Sequence, residues 1–243
     1  MEWDAPAVVL SARAYGEAGA LVTVMTEEHG CTRGLARGGG SRAQASLWQL
    51  GNLVQARWVA RLAEQLGSLT GELVHPAAAL AMEDPVALAI LASACAVAEG
   101  ALPEREPHPA VFAGLVQLIT QLPHGADAIT GLVRWEAALL TELGYGMDLS
   151  ACAVTGETAG LAWVSPRTGR AVTEAASGEW RARLLPLPGF LAGGNAAGPA
   201  EWRDGLALTG HFLERDAFGH QNKPLPPARL RLADRVAALA EPP

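Results

Sequence analysis

The hydrophobic pattern of this 243-residue chain changes its period once, close to Pro76, and that change limits the fold to one built in two parts. From Ala7 to His75 apolar residues recur at every second position. Val8, Leu10 and Ala12 alternate with Val9, Ser11 and Arg13, then Leu21, Thr23 and Met25 repeat the rhythm, and residues 53–59 and 67–74 continue it. Such alternation lines one face of a strand with core side chains. Gly16, Gly19, Gly30, Gly34 and Gly67 punctuate the runs, and five strands are predicted near 6–13, 19–27, 31–38, 52–61 and 66–74. Five short strands in one small domain fit a closed barrel of the OB type, which removes its own edges by curling; an SH3-like barrel is the structural rival. Beyond Pro76 the period becomes helical, with helices predicted over 84–99, 109–122, 126–143, 199–218 and 227–240. The fold class is therefore α+β: an N-terminal five-stranded OB-type barrel over residues 1–76, then a helical domain over 77–243.

The helical domain carries an insert, at about residues 148–176, with the outline of a metal ribbon. Zinc ribbons hold a tetrahedral ion through two C-x-x-C turns. Here Cys152 stands alone, Thr155 occupies the partner position, and nothing from Trp163 to Thr173 supplies a second pair. The insert is read as a degenerate zinc ribbon: no metal and no cofactor are expected, with packing of Leu161, Trp163 and Val172 holding the turns instead. Cys31, Cys95 and Cys152 are odd in number and widely spaced, which disfavours a disulfide framework and suits a reducing cytoplasm. The acidic start MEWDAPAVVL lacks the features of a signal peptide, and the apolar run from Val86 to Ala98 is too short to cross a bilayer. A cytoplasmic protein without membrane contact is expected.

The formal net charge of −7 argues against a strongly basic nucleic-acid binder, but its distribution leaves room for one basic face. In residues 1–76, Arg13, Arg33, Arg37, Arg42, Arg57 and Arg61 nearly balance seven acids, and the negative excess falls in the rest of the chain. The segment from Arg37 to Arg42, RGGGSR, lacks the spacing and terminal Lys-Ser/Thr of a P-loop, so a flexible hairpin is favoured over a nucleotide cradle. Arg33, Arg37 and Arg42 still suit a phosphodiester chain, each guanidinium offering a fork to phosphate oxygens. Arg57 and Arg61 flank Trp58, a combination suited to single strands, where bases stack and phosphates pair. Alternation nevertheless turns Trp58 toward the core and Arg57 outward. No nucleophile or acid–base set for catalysis emerges, and His211 and His220 lack the spacing of a metal pair. Arg134, Trp135 and Glu136 lie on a helix whose Leu132, Val133, Leu139 and Leu140 are apolar. The bland reading is a surface ion pair; the functional one is a groove with an arginine at its rim, suited to an acidic-hydrophobic peptide end.

Several segments in order, HGCTRGLARGG, RWEAALLTELGYG, DLSACAVTG, LPLPGFL and LALTGHFLERDAF, give the chain a resemblance to the RecO family of bacterial recombination-repair proteins over nearly all its length. The resemblance implies an OB-fold domain followed by a helical domain with a zinc ribbon or its remnant. It also implies a non-enzymatic DNA repair and recombination mediator. Such a protein binds single- and double-stranded DNA and single-strand-binding protein, anneals strands and, with RecR, helps load RecA. Carried onto this chain, DNA binding falls to Arg33, Arg37 and Arg42, with Arg57 and Arg61 second. Docking of the single-strand-binding protein tail falls to Arg134 and Trp135. An adaptor of the repair complex with little DNA affinity of its own is the alternative.

Overall fold

The computed structural model describes residues 1–62, 65–194 and 197–240, with the side chains of residues 42, 43, 124 and 126 outside that description. Two compact units divide at Gly125 and Ala126. In the first, β1 (Glu2–Tyr15), β2 (Gly19–Thr26), β3 (Gly30–Ala36), β4 (Leu53–Val59) and β5 (Gly67–His75) form a ring in the order β1-β2-β3-β5-β4, with β4 returning to β1. One long strand makes closure possible. The first half of β1 pairs with β4 from Glu2 to Val8, the second half pairs with β2 from Ala7 to Tyr15, and an irregularity between Val9 and Ser11 lets the strand turn from one neighbour to the other. The last seam is a short parallel pairing, Gly34 with Gly67 and Leu35 with Ser68. This is the closed five-stranded arrangement of the OB type.

The interior of the ring is filled by small and β-branched residues, Ala7, Val9, Ala20, Val22, Val24, Ala36, Val54 and Ala56, together with Leu69, Trp48 and Trp58. Trp48 comes from the β3–β4 connection, just past the single-turn α1 (Arg42–Ala45). In β1 four consecutive residues, Ala7 to Leu10, are buried, so both faces are covered at that point. One reason is α3 (Pro85–Ala101): Cys95 Sγ lies 3.8 Å from the Val9 carbonyl, and Glu99 Oε1 accepts hydrogen bonds from the hydroxyls of Ser11 (2.6 Å) and Thr23 (3.0 Å). α3 starts as its sequence dictates, with Asp84 accepting the Val86 amide at 2.8 Å and Pro85 in the first turn. The short α2 (Ala77–Ala81) and α4 (Pro109–Gln121) complete this unit.

The second unit contains α5 (Ala128–Glu142), α6 (Glu174–Ser177), α7 (Pro199–Phe212) and α8 (Pro227–Ala240), with a small sheet of β6 (Leu161–Val164), β7 (Ala171–Thr173) and β8 (Leu185–Pro186) in the order β7-β6-β8. α5 ends at Gly144, whose φ of 84° suits a residue without a Cβ. α7 passes close to α5 because Gly205 leaves room: a Cβ there would lie 3.0 Å from Val133 and from Phe190. The helix predicted over 199–218 is α-helical only to Phe212. Its last stretch, Leu213–Phe218, widens into a π-turn that puts Leu213, Asp216, Ala217 and Phe218 all on the buried side, more than a regular turn offers one face. Among the described residues, no helix is long and apolar enough to cross a membrane.

Candidate nucleic-acid interface

Strand alternation puts the barrel arginines outside. Arg33 on β3 and Arg57 on β4 are exposed, as are Arg37 and Arg61 just beyond the strand ends; the side chain of Arg42 lies outside the described residues. Two of them are already engaged. Arg33 Nε lies 2.9 Å from Glu104, and Arg57 pairs with Glu2. Arg13, a further exposed cation, stands 4.0 Å from Glu99. Among the described residues, Arg37 and Arg61 make no ion pair. Exposed pairs of this kind contribute at most about 1 kcal/mol, so a phosphate can compete for the guanidinium.

The glycine-rich loop departs from its sequence reading in a useful way. The amides of Gly39, Gly40 and Ser41 donate to the carbonyls of Ala36 (3.2 Å), Ala18 (3.2 Å) and Gly38 (2.9 Å). A phosphate cradle needs free amides converging on one point, and these three are spent inside the fold. The loop also cannot be the slack hairpin suggested by its composition, since Gly40 ties it to the β1–β2 turn. It displays Arg37 from a fixed position.

Trp58 faces inward and is buried, its indole N–H donating to the Arg33 carbonyl at 3.0 Å. It is also part of an aromatic ladder that the sequence did not reveal. Trp3, its partner across β1 and β4, stacks on it at 6.1 Å and 11°, and His29 stacks on Trp3 at 5.0 Å and 19°. Arg105, in the loop between α3 and α4, holds its guanidinium 5.6 Å from the Trp58 ring centroid. No sequence signal links these four, because only ring closure brings the β2–β3 turn, the start of β1 and the α3–α4 loop together.

In the second unit, the run Arg134-Trp135-Glu136 is split by the helix. Arg134 is exposed, with Nη2 donating to the Phe190 carbonyl at 3.2 Å and its guanidinium 5.8 Å from the Phe190 ring. Trp135 is buried, so the indole belongs to the packed side of α5 rather than to an open groove. Glu136 is fully buried in a bidentate ion pair with Arg229, at 2.6 and 3.0 Å, and Thr209 donates to it as well. It forms no surface pair with its neighbour.

The segment read as a degenerate ribbon forms a turn at Cys152. Cys152 Sγ accepts the Thr173 amide at 3.4 Å, while the Cys152 amide donates to Glu157 (2.7 Å) and its carbonyl receives Gly156 (2.9 Å). A hydrogen bond from the Thr155 hydroxyl, then the amides of Thr173, Thr155 and Val154, lower the thiol pKa to about 6 against the opposing effect of burial. That hydroxyl has one proton, for which Glu157 Oε2 at 3.1 Å also competes. Among the described residues no group of three His, Cys, Asp or Glu side chains could hold a metal ion, and one thiol beside two threonines does not fit zinc. Val164, Ala171, Val172 and Thr173 are the buried residues of this small sheet, with Leu161 and Trp163 half-buried. His211 and His220 engage the Pro166 carbonyl (3.0 Å) and the Tyr145 hydroxyl (2.9 Å) respectively.

Residues 1–77 match the family model for the recombination protein O N terminal, and residues 82–225 match that for the recombination protein O C terminal. The chain belongs to the RecO family. It is 60% identical over 244 residues to the DNA repair protein RecO of Granulibacter bethesdensis, covering 99% of this chain and 98% of that one. It is also 60% identical over 245 residues to the protein of the same name from Gluconacetobacter diazotrophicus, with 98% and 96% covered, and 58% identical over 240 residues to that of Acidiphilium cryptum, with 97% and 96% covered. The two RecO family models meet between residues 77 and 82, whereas the compact unit that contains the barrel runs on through α4.

Proposed function

We propose that this RecO-family chain is a non-enzymatic mediator of DNA repair and recombination that holds a DNA strand and the acidic tail of single-strand-binding protein on one polypeptide. The observation that carries the reading is a closed five-stranded ring with Arg33, Arg37, Arg57 and Arg61 exposed on it or at its strand ends. Each can serve a phosphodiester, and Arg37, which makes no ion pair among the described residues, surrenders none of their acids to do so. For the tail, the support is Arg134, whose guanidinium is exposed beside the Phe190 ring and can meet a carboxylate. Holding both partners at once raises the effective concentration of each near the other, which favours exchange of protein for a complementary strand and, with RecR, the loading of RecA.

A second reading, an adaptor whose barrel has little DNA affinity, draws support from the ion pairs Arg33–Glu104 and Arg57–Glu2 and from the net charge of −7. One titration separates them. If the mediator reading holds, single-strand affinity falls steeply with salt and Arg37→Glu lowers it about tenfold at low salt. An acidic peptide ending in an aromatic residue also binds, about tenfold more weakly to Arg134→Glu. Strand binding indifferent to both salt and Arg37→Glu overturns the mediator reading. Peptide binding with no strand retained at low salt establishes the adaptor.

A further inference from the structure

The mouth of the barrel beside the β2–β3 turn holds a cavity of about 220 Å³, and its lining includes Trp3, His29, Trp58, Arg105, Glu2 and Glu28. Three features show how firmly it is built. First, Trp58 has a slot of its own: a Cβ on Gly67 would lie 2.2 Å from the indole, and one on Gly34 would lie 3.2 Å from it. Second, Arg105 has a left-handed backbone, φ 61°, unusual for a residue with a side chain. It is pinned there by its amide, which donates to the Cys31 carbonyl at 2.9 Å, by the bridge between Cys31 and Glu104, and by a guanidinium bond to the Gln65 carbonyl at 3.3 Å. Third, Gly30 admits this loop, since a Cβ there would lie 2.1 Å from the Glu106 carbonyl oxygen. Backbone strain of this kind persists only where the surroundings enforce it, and it clusters at ligand sites.

We infer that this pocket captures one nucleobase of a single strand, an inference that rests on the reading of the barrel as a DNA binder. The rings of His29, Trp3 and Trp58 lie within 20° of parallel in successive pairs, so a planar aromatic partner extends an existing stack. A base is flat and fits the volume. The Arg105 guanidinium adds a cation to the same stack, as in strand-binding proteins that combine stacking with cation–π contacts. The Glu28 carboxylate repels phosphate, and both it and Glu2, whose charge Arg57 offsets, can accept N–H groups, which favours a base whose phosphates remain outside over a free nucleotide carried in whole. The barrel mouth is a site where such cavities form.

The test uses the full chain and two single strands of equal length, one bearing bases and one built of abasic sites. The base-bearing strand binds the unaltered protein about tenfold or more tightly, the effect of stacking one base. In His29→Ala and in Arg105→Gly the preference falls to about twofold, whereas Arg37→Glu weakens both strands alike. Arg105→Gly relieves the left-handed backbone while giving up the Gln65 bond and the ring contact, so its thermal midpoint is read alongside, and loss of preference at an unchanged midpoint cannot be assigned to unfolding. A base preference that survives both pocket variants, or equal binding of the two strands, overturns the pocket while leaving the DNA reading standing. No retention of either strand at low salt overturns both. Competition by a deoxynucleoside monophosphate at equal base concentration reassigns the pocket to free nucleotides and overturns the strand assignment.

Discussion

Glu136 sits inside the second compact unit without solvent exposure, and Arg229 holds both its carboxylate oxygens while donating also to the Leu206 carbonyl at 2.7 Å. Removing one partner of a buried pair leaves the other charge stranded, which typically costs about 3–5 kcal/mol. Glu136→Ala is therefore expected to lower the unfolding free energy by that order, measured by urea denaturation, and the double change Glu136→Leu with Arg229→Met to recover much of it. A fully tolerant Glu136→Ala would show the pair to be idle. The sequence could not disclose this arrangement. Successive residues on a helix point about 100° apart, so Arg134 and Glu136 leave α5 on different sides, and Arg229 lies far along the chain. What could be read was the apolar character of Leu132, Val133, Leu139 and Leu140, all of them buried.

The turn from Cys152 to Glu157 is held by hydrogen bonds to its backbone and thiol. Its thiol ionises near pH 6 in the folded chain against 9.0 ordinarily, so the folded form favours the thiolate. The stability this contributes is present in full above pH 9 and is lost as pH falls through 6. Cys31 and Cys95, pushed up to about 12 chiefly by burial, act only above pH 9. Between pH 6 and 9 the urea midpoint is expected to rise, and Cys152→Ala to flatten that rise; an unchanged profile in the variant would refute the role given to Cys152. At this scale the sequence was most legible. Each predicted strand overlaps an observed one, and the five longer helices begin close to their signals, because alternation, a proline in the first turn and glycine ends act locally. The single-turn α1, α2 and α6 escaped, being too short to show a period. The aromatic ladder escaped for the opposite reason, since it exists only after the ring has closed.

For the whole molecule, the proposed strand binding has to be reconciled with a net charge of −7. Its barrel arginines are partly masked by the chain's own acids, at Glu104, Glu2 and Glu99. A phosphate that displaces an acid gains little net charge release, so the salt slope of strand binding should be shallower than the arginine count suggests. Glu104→Gln, which frees Arg33, is expected to raise low-salt affinity and steepen the slope by about 0.7 per phosphate gained. Titrations over a salt series read this directly, and an unchanged slope would mean that Arg33 takes no phosphate.

The tie between Gly40 and the β1–β2 turn has a further consequence, one of entropy and timing. A binding loop that is slack before contact must surrender its freedom on meeting a ligand, which weakens the complex and can slow its formation. Here the backbone beside Arg37 has lost that freedom during folding. On the proposed reading, its first encounter with a strand would then depend on diffusion and charge alone, with no ordering step between collision and grip.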